Sequence, residues 1–127
     1  MSWNIDFYHC PSPRIQKENG EIPAYDFLQS LPAKLQAKAF SEIELLEQCG
    51  TMLKEPYVKP IVGKKYQGLW EIRIRFASES ARIFYFMFFS NTFVLLHGFK
   101  KKTMRTPLRE LERALQYKAD YERRSGK

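Results

Sequence analysis

The strongest constraint in this 127-residue sequence is a change of period near its middle. In the helical stretch that ends at Gly50 the apolar residues recur at spacings of three and four; in the segment that begins at Leu69 they recur at two. In Leu69-Trp70-Glu71-Ile72-Arg73-Ile74-Arg75-Phe76, the residues Trp70, Ile72, Ile74 and Phe76 point one way. Glu71, Arg73 and Arg75 point the other, the alternation of a strand with two unlike faces. After a turn at 77–80, the run Arg82 to Phe89 is apolar on both faces, as a central covered strand must be. A second turn at 90–92 leads to a third strand, Phe93 to Phe99. Connections this short make the three strands antiparallel neighbours.

The flanking segments complete a single α+β domain spanning residues 1–127. Trp3, Ile5 and Phe7 alternate with polar neighbours and predict a short first strand, followed by a loop from His9 to Glu21. Ile22 to Ser30 reads as a short helix with Phe27 and Leu28 inward. Pro32 then opens a second helix, because the first turn has no use for the missing N–H. Leu35, Ala39, Ile43 and Leu46 form its apolar face, Lys34, Lys38, Glu42 and Gln48 fall largely outside it, and Gly50 closes it. Glu55 to Gly68 is expected to be a loop. Thr106-Pro107 caps a last helix whose Leu108, Leu111 and Leu115 stripe docks on the sheet. The order is β-α-α-β-β-β-α, a mostly antiparallel sheet with the helices against one face.

Charge is unevenly placed along this scaffold. Residues 1–56 carry 5 Lys/Arg against 8 Asp/Glu, and residues 57–127 carry 16 against 6, within an overall net charge of +7. A basic second half on a mildly acidic first half points to one face built for a polyanion. Cys10 and Cys49 form no CxxC pair and are too few for a zinc site or a disulfide scaffold. The N-terminus lacks the basic-then-apolar run of a signal peptide, and Ile83 to Phe89 is too short to span a bilayer. A cytoplasmic protein with no membrane partner is expected.

The residues that carry chemistry gather at one end of the meander. Glu71, Arg73 and Arg75 share a face, Arg82 starts the next strand opposite the Arg75 end, and Lys100, Lys101 and Lys102 leave the strand after it. Guanidinium groups held this close favour an anion between them, since each fork binds phosphate oxygens in two places. Lys64, Lys65 and Tyr66 are candidates to hold or stack on RNA. A solvated basic sheet face accounts for the same alternation, and His97 inside an apolar strand is more often a core histidine than a catalyst.

At these residues the sequence resembles a family. LWEIRIRF at 69–76, ARIFYF at 81–86 and LLHGFKKKTMRTP at 95–107 are similar to the HigB-like, phage-derived branch of the RelE toxin superfamily, and the likeness covers nearly the whole chain. The resemblance implies a microbial-ribonuclease-like sheet and the toxin role in a type II toxin–antitoxin module. It implies cleavage of messenger RNA on the ribosome with no metal or other cofactor, and inhibition by a helix-turn-helix antitoxin. By position, Arg73 and Arg75 match the basic pair of the family's second strand, Arg82 its RxxY arginine, and Lys101 the basic residue after the last strand. The family's stacking tyrosine is missing near Leu108, where Thr106-Pro107 stands, which leaves Tyr66 or Phe99 for that contact. Glu71 and His97 are the candidate bases, because arginine is a poor one. A non-catalytic nucleic-acid-binding regulator of prophage origin, and an inhibitor of an acidic host protein, are the competing readings.

Overall fold

The computed structural model describes residues 3–11 and 22–125. Its elements are β1 (Asn4–Phe7), α1 (Pro23–Ser30), α2 (Ala33–Cys49), β2 (Val58–Pro60), β3 (Trp70–Phe76), β4 (Glu79–Phe88), β5 (Thr92–Lys100) and α3 (Leu108–Ser125). The α+β order is the one predicted, with β2 added inside the segment expected to be a loop. The strands lie in the order β1-β5-β4-β3-β2. All pair antiparallel except β1, which runs parallel to β5. Most of the loop expected at 9–21 lies outside the described residues.

The helices cover both faces of the sheet, not one. Ile83 and Tyr85 of β4 face α1 and α2 in a cluster with Ile72, Ile74, Leu28, Leu35 and Leu46. Phe84 and Phe86, the alternate row, face α3 in a second cluster with Leu96, Leu111 and Ala114. The reason is in β4 itself. Both its rows are apolar, and burying a phenylalanine is worth about 2 kcal/mol, so a one-sided layer would forfeit the second row. Among the described residues no helix is long and apolar enough to cross a membrane.

A β-bulge resets the alternation of β5. Phe84 pairs with His97, yet Tyr85 pairs with Leu95, so Leu96 is the extra residue. Before the bulge Leu95 faces α1 and α2; after it Leu96 and His97 both face α3. Gly98 then turns toward α1, where a Cβ would stand 2.4 Å from the Phe27 ring. A side chain there would push α1 off the sheet.

The predicted apolar face of α2 is buried as spaced, at Leu35, Ala39, Ile43 and Leu46. Glu42, expected outside that face, is only 5% exposed. Its Oε2 meets Lys38 Nζ at 3.1 Å, while Oε1 is buried with no partner. At the other end of the chain, α3 is tied to the N-terminal strand by polar contacts. Tyr8 donates its hydroxyl hydrogen to Asp120 at 2.6 Å, and Tyr121 donates to Asp6 at 2.7 Å. Arg124 and Tyr8 together hold the Asp120 carboxyl below its ordinary range.

Gly50 closes α2 at φ +57°, and a Cβ there would lie 1.9 Å from the indole of Trp3. Gly50→Ala is expected to cost about 2–4 kcal/mol, combining backbone strain with overpacking. Urea denaturation measures it; an unchanged midpoint would mean that Trp3 swings away freely.

Candidate functional site

The basic residues are organised by cross-strand register. Arg73 stands directly opposite Arg82, and Arg75 opposite Ser80. This corrects the expectation that Arg82 lies at the Arg75 end. Only Ala77 and Ser78 separate the two strands, so β4 starts earlier than a four-residue turn allows. Like charges directly opposite on one face are destabilising unless something neutralises them. Glu71 does so. Its Oε2 lies 3.6 Å from Arg73 Nε and 3.4 Å from Arg82 Nε.

Arg82 is the deepest of the cations, only 4% exposed. It donates from Nη1 to Ser80 Oγ at 3.0 Å and to the Ala81 carbonyl at 3.2 Å. Burial lowers its pKa, Arg73 and Arg75 push the same way, and Glu71 opposes them. It stays protonated all the same, since guanidinium loses its proton only far above neutrality. A buried fork held by three neighbours loses little freedom when it grips an oxyanion.

Lys101 joins the group from the end of β5. Its backbone N–H donates to the Ser80 carbonyl at 2.9 Å, and its ammonium donates to the carbonyls of Thr103 and Met104, both at 2.8 Å. Desolvation and the field of Arg82 push this amine below the usual lysine range. The result is a groove of about 470 Å³ between the β3–β4 end and the chain after β5. Arg73, Arg75, Arg82, Lys101 and Lys102 line it, with Met104 at the rim. Five cations line one groove above a single buried carboxylate, a charge distribution suited to an oxyanion.

Other predicted residues stand elsewhere. Lys100 points to the opposite face, opposite Ala81 and 3.7 Å from Glu79. Lys64, Lys65 and Tyr66 form a 3-10 turn beside α3, where Lys65 Nζ meets Glu112 at 2.7 Å and Tyr66 is half-buried. None of the three lines the groove. His97 is buried against Phe84 and Tyr117, with Nε2 2.9 Å from Glu110. Burial holds its pKa down against the pull of Glu110. Phe99 is buried as well, so it offers no stacking face. Glu71 lies beneath the groove with Oε1 buried and unpartnered.

Sequence reasoning missed Lys59 and Tyr57. Lys59 pairs with Glu71 across β2 and β3 and shares its face. The Val58-Lys59 alternation was the available signal, masked by the prolines around it. Tyr57 is exposed beside Arg73, whose N–H donates to the Tyr57 carbonyl at 2.8 Å. Among the described residues, no group of three or more His, Cys, Asp or Glu is placed to hold a metal ion.

Glu71→Gln is expected to lower stability by about 3 kcal/mol, because Arg82 is left buried without its counter-charge. Inorganic sulfate should recover part of that loss by taking the carboxylate's electrostatic place. Chemical denaturation with and without sulfate measures both effects; a loss under about 1 kcal/mol would show that Arg82 needs no partner.

The family model described as Phage derived protein Gp49-like (DUF891) matches residues 26–119, from within α1 through most of α3. No curated protein matches the chain at a significant level.

Proposed function

The chain belongs to the phage-derived Gp49-like family, and on that premise we propose that it is the toxin of a type II toxin–antitoxin module, cutting messenger RNA on the ribosome. The observation that carries this reading is the groove, where the buried Arg82 opposes Arg73 and Lys101 closes the third side. Such a site suits a phosphodiester in the act of gaining charge. The partners are the ribosome, messenger RNA and a helix-turn-helix antitoxin, and the site of action is the cytoplasm.

In the proposed reaction the 2′-oxygen attacks the adjacent phosphorus while the bond from phosphorus to the 5′-oxygen breaks. A 2′,3′-cyclic phosphate and a 5′-hydroxyl result. Arg73 and Arg82 hold the non-bridging oxygens, and Arg75 and Lys102 steer the backbone. Lys101 gives its proton to the departing 5′-oxygen. Its lowered pKa suits that role, since an acid closer to neutrality transfers its proton more readily. Neither candidate base fits well: His97 is walled off by Phe84 and Tyr117, and Glu71 is held beneath the arginines. The proton of the 2′-hydroxyl passes to water, with the ribosome aligning the attacking oxygen.

Induced expression in a bacterium, with transcript ends mapped, tests this reading. Growth arrest with cuts in translated messages is expected, lost in Arg73→Ala. In a reconstituted ribosome assay, wild-type cleavage should fall as pH rises through the Lys101 pKa, because only the protonated amine donates. Lys101→Arg should cut about 10²–10⁴ times more slowly and lose that alkaline limb. Intact transcripts and unimpaired growth with the wild type would sink the enzyme reading. Salt-sensitive RNA binding without cleavage would favour a nucleic-acid-binding regulator instead.

A further inference from the structure

A second cavity adjoins the groove, and none of the chemistry above uses it. β2 pairs only with Trp70–Ile72, so from Ile74 onward this edge of β3 has no strand beside it. A cavity of about 350 Å³ lies there, lined by Lys38 and Glu42 of α2, the chain at Pro56–Tyr57, and Arg73 and Arg75. Arg73 and Arg75 also line the groove, so the two spaces share a pair of guanidinium groups.

The two cavities are built alike, each with a buried carboxylate holding cations at its wall. Beneath the groove, Glu71 stands 3.6 Å from Arg73 and 3.4 Å from Arg82. In the second cavity Glu42, only 5% exposed, meets Lys38 Nζ through Oε2 at 3.1 Å, and its Oε1 is buried. Glu42 therefore offers nothing to a ligand; its part is to anchor Lys38. The Lys38 side chain stays 41% exposed, and an ammonium has three N–H donors, so one carboxylate oxygen leaves it free to bind an anion as well. A lysine already anchored has less freedom to lose on binding than one that sweeps through solvent. Arg75 is exposed, lines both cavities and has no ion-pair partner among the described residues. Three cations thus face one carboxylate that is already engaged. Proteins hold a single nucleic-acid strand by basic grooves that follow its backbone, successive phosphates meeting successive cations.

We infer that this cavity holds the phosphate next to the one that is cut, gripped by Lys38 and Arg75, so that the RNA leaves the groove over the open edge of β3 and onto α2. Lys38 is then a binding residue outside the cleavage chemistry, and Glu42 a positioning residue that acts through it. The inference rests on the RNA-cutting reading of the groove, to which it adds the path of the substrate.

Salt-dependent binding of uncleavable RNA to the purified chain tests it. The probes are a fluorescent 2′-O-methyl tetranucleotide and the matching dinucleotide, both lacking the attacking hydroxyl. For single strands each phosphate contact contributes about −0.7 to the slope of log K against log salt. Lys38→Met should make the tetranucleotide slope shallower by about 0.7 and weaken binding at low salt. It should leave the dinucleotide slope unchanged, because the single phosphate of that probe sits in the groove. Lys38→Arg should keep the wild-type slope, and so should Lys34→Met, on the same helix but outside the lining. Lys38→Met leaves Glu42 without its counter-charge, so the double variant Lys38→Met with Glu42→Gln is measured beside it and should show the same loss. A wild-type slope in either folded variant overturns the proposal. An equal loss in Lys34→Met overturns it too, since a diffuse field would then account for the effect. Transcript mapping separates this claim from cleavage. A protein that shows the Lys38 effect but cuts nothing keeps the subsite and loses the enzyme reading. One that cuts messages with no Lys38 effect loses only the subsite.

Discussion

A strand that is apolar on both faces has to be covered twice. β4 places Ile83 and Tyr85 on one side and Phe84 and Phe86 on the other, and each row is nearly inaccessible to solvent. The rest of the fold follows from satisfying both rows at once. α1 and α2 fill one side and α3 the other, with strands on both edges of β4 taking up its backbone hydrogen bonds. The cover on the α3 face is incomplete by design of the register. Below Phe84 the same face of β3 and β4 carries Arg73, Arg75 and Arg82, and among the described residues the groove they line is bounded by strands and the chain after β5. The groove is the uncovered end of a face that is otherwise core.

That placement explains the electrostatics. Arg82 follows the core pattern of its strand and is buried like a core residue, although it is a cation. The cost of desolvating it is offset by Glu71, Ser80 and the Ala81 carbonyl, all supplied by the two strands themselves. Lys101 is shifted in the same direction, by desolvation first and by the charge of Arg82 second. A polyanion approaching this surface meets one guanidinium, Arg82, that has already given up most of its water, which strengthens the contact made there.

Much of this was legible in the sequence, because period carries burial. The alternations at Trp3–Phe7 and Trp70–Phe76, the two-sided run from Arg82 and the segment Phe93–Phe99 gave four of the five strands, and the helical spacing of Leu35, Ala39, Ile43 and Leu46 gave α2. Arg73, Arg75, Arg82 and Lys101 were found together by assuming a meander. What stayed hidden depends on single-residue phase. The two-residue turn at Ala77-Ser78 moved Arg82 from Arg75 to Arg73. The register of β5 turns Lys100 away from the groove, and the bulge at Leu96 aims His97 into α3. Tyr57 and Lys59 were lost because β2 has only three residues, and so short a strand leaves no period to read. Glu42 was misplaced for a different reason: a carboxylate at the margin of a helix face is buried by the neighbouring chain, not by its own helix.

The Glu71–Arg82 contact also limits how such a protein can be disarmed by inheritance. The same guanidinium that faces the groove neutralises a carboxylate buried beneath it, so its loss by random change strands that carboxylate and weakens the whole strand pair. Lineages that silence the site while keeping an intact fold would have to change the rim first, at Arg75 or Lys102, where the side chains are exposed and carry no buried partner among the described contacts. The depth of Arg82 thus ties the persistence of the fold to the persistence of its charge.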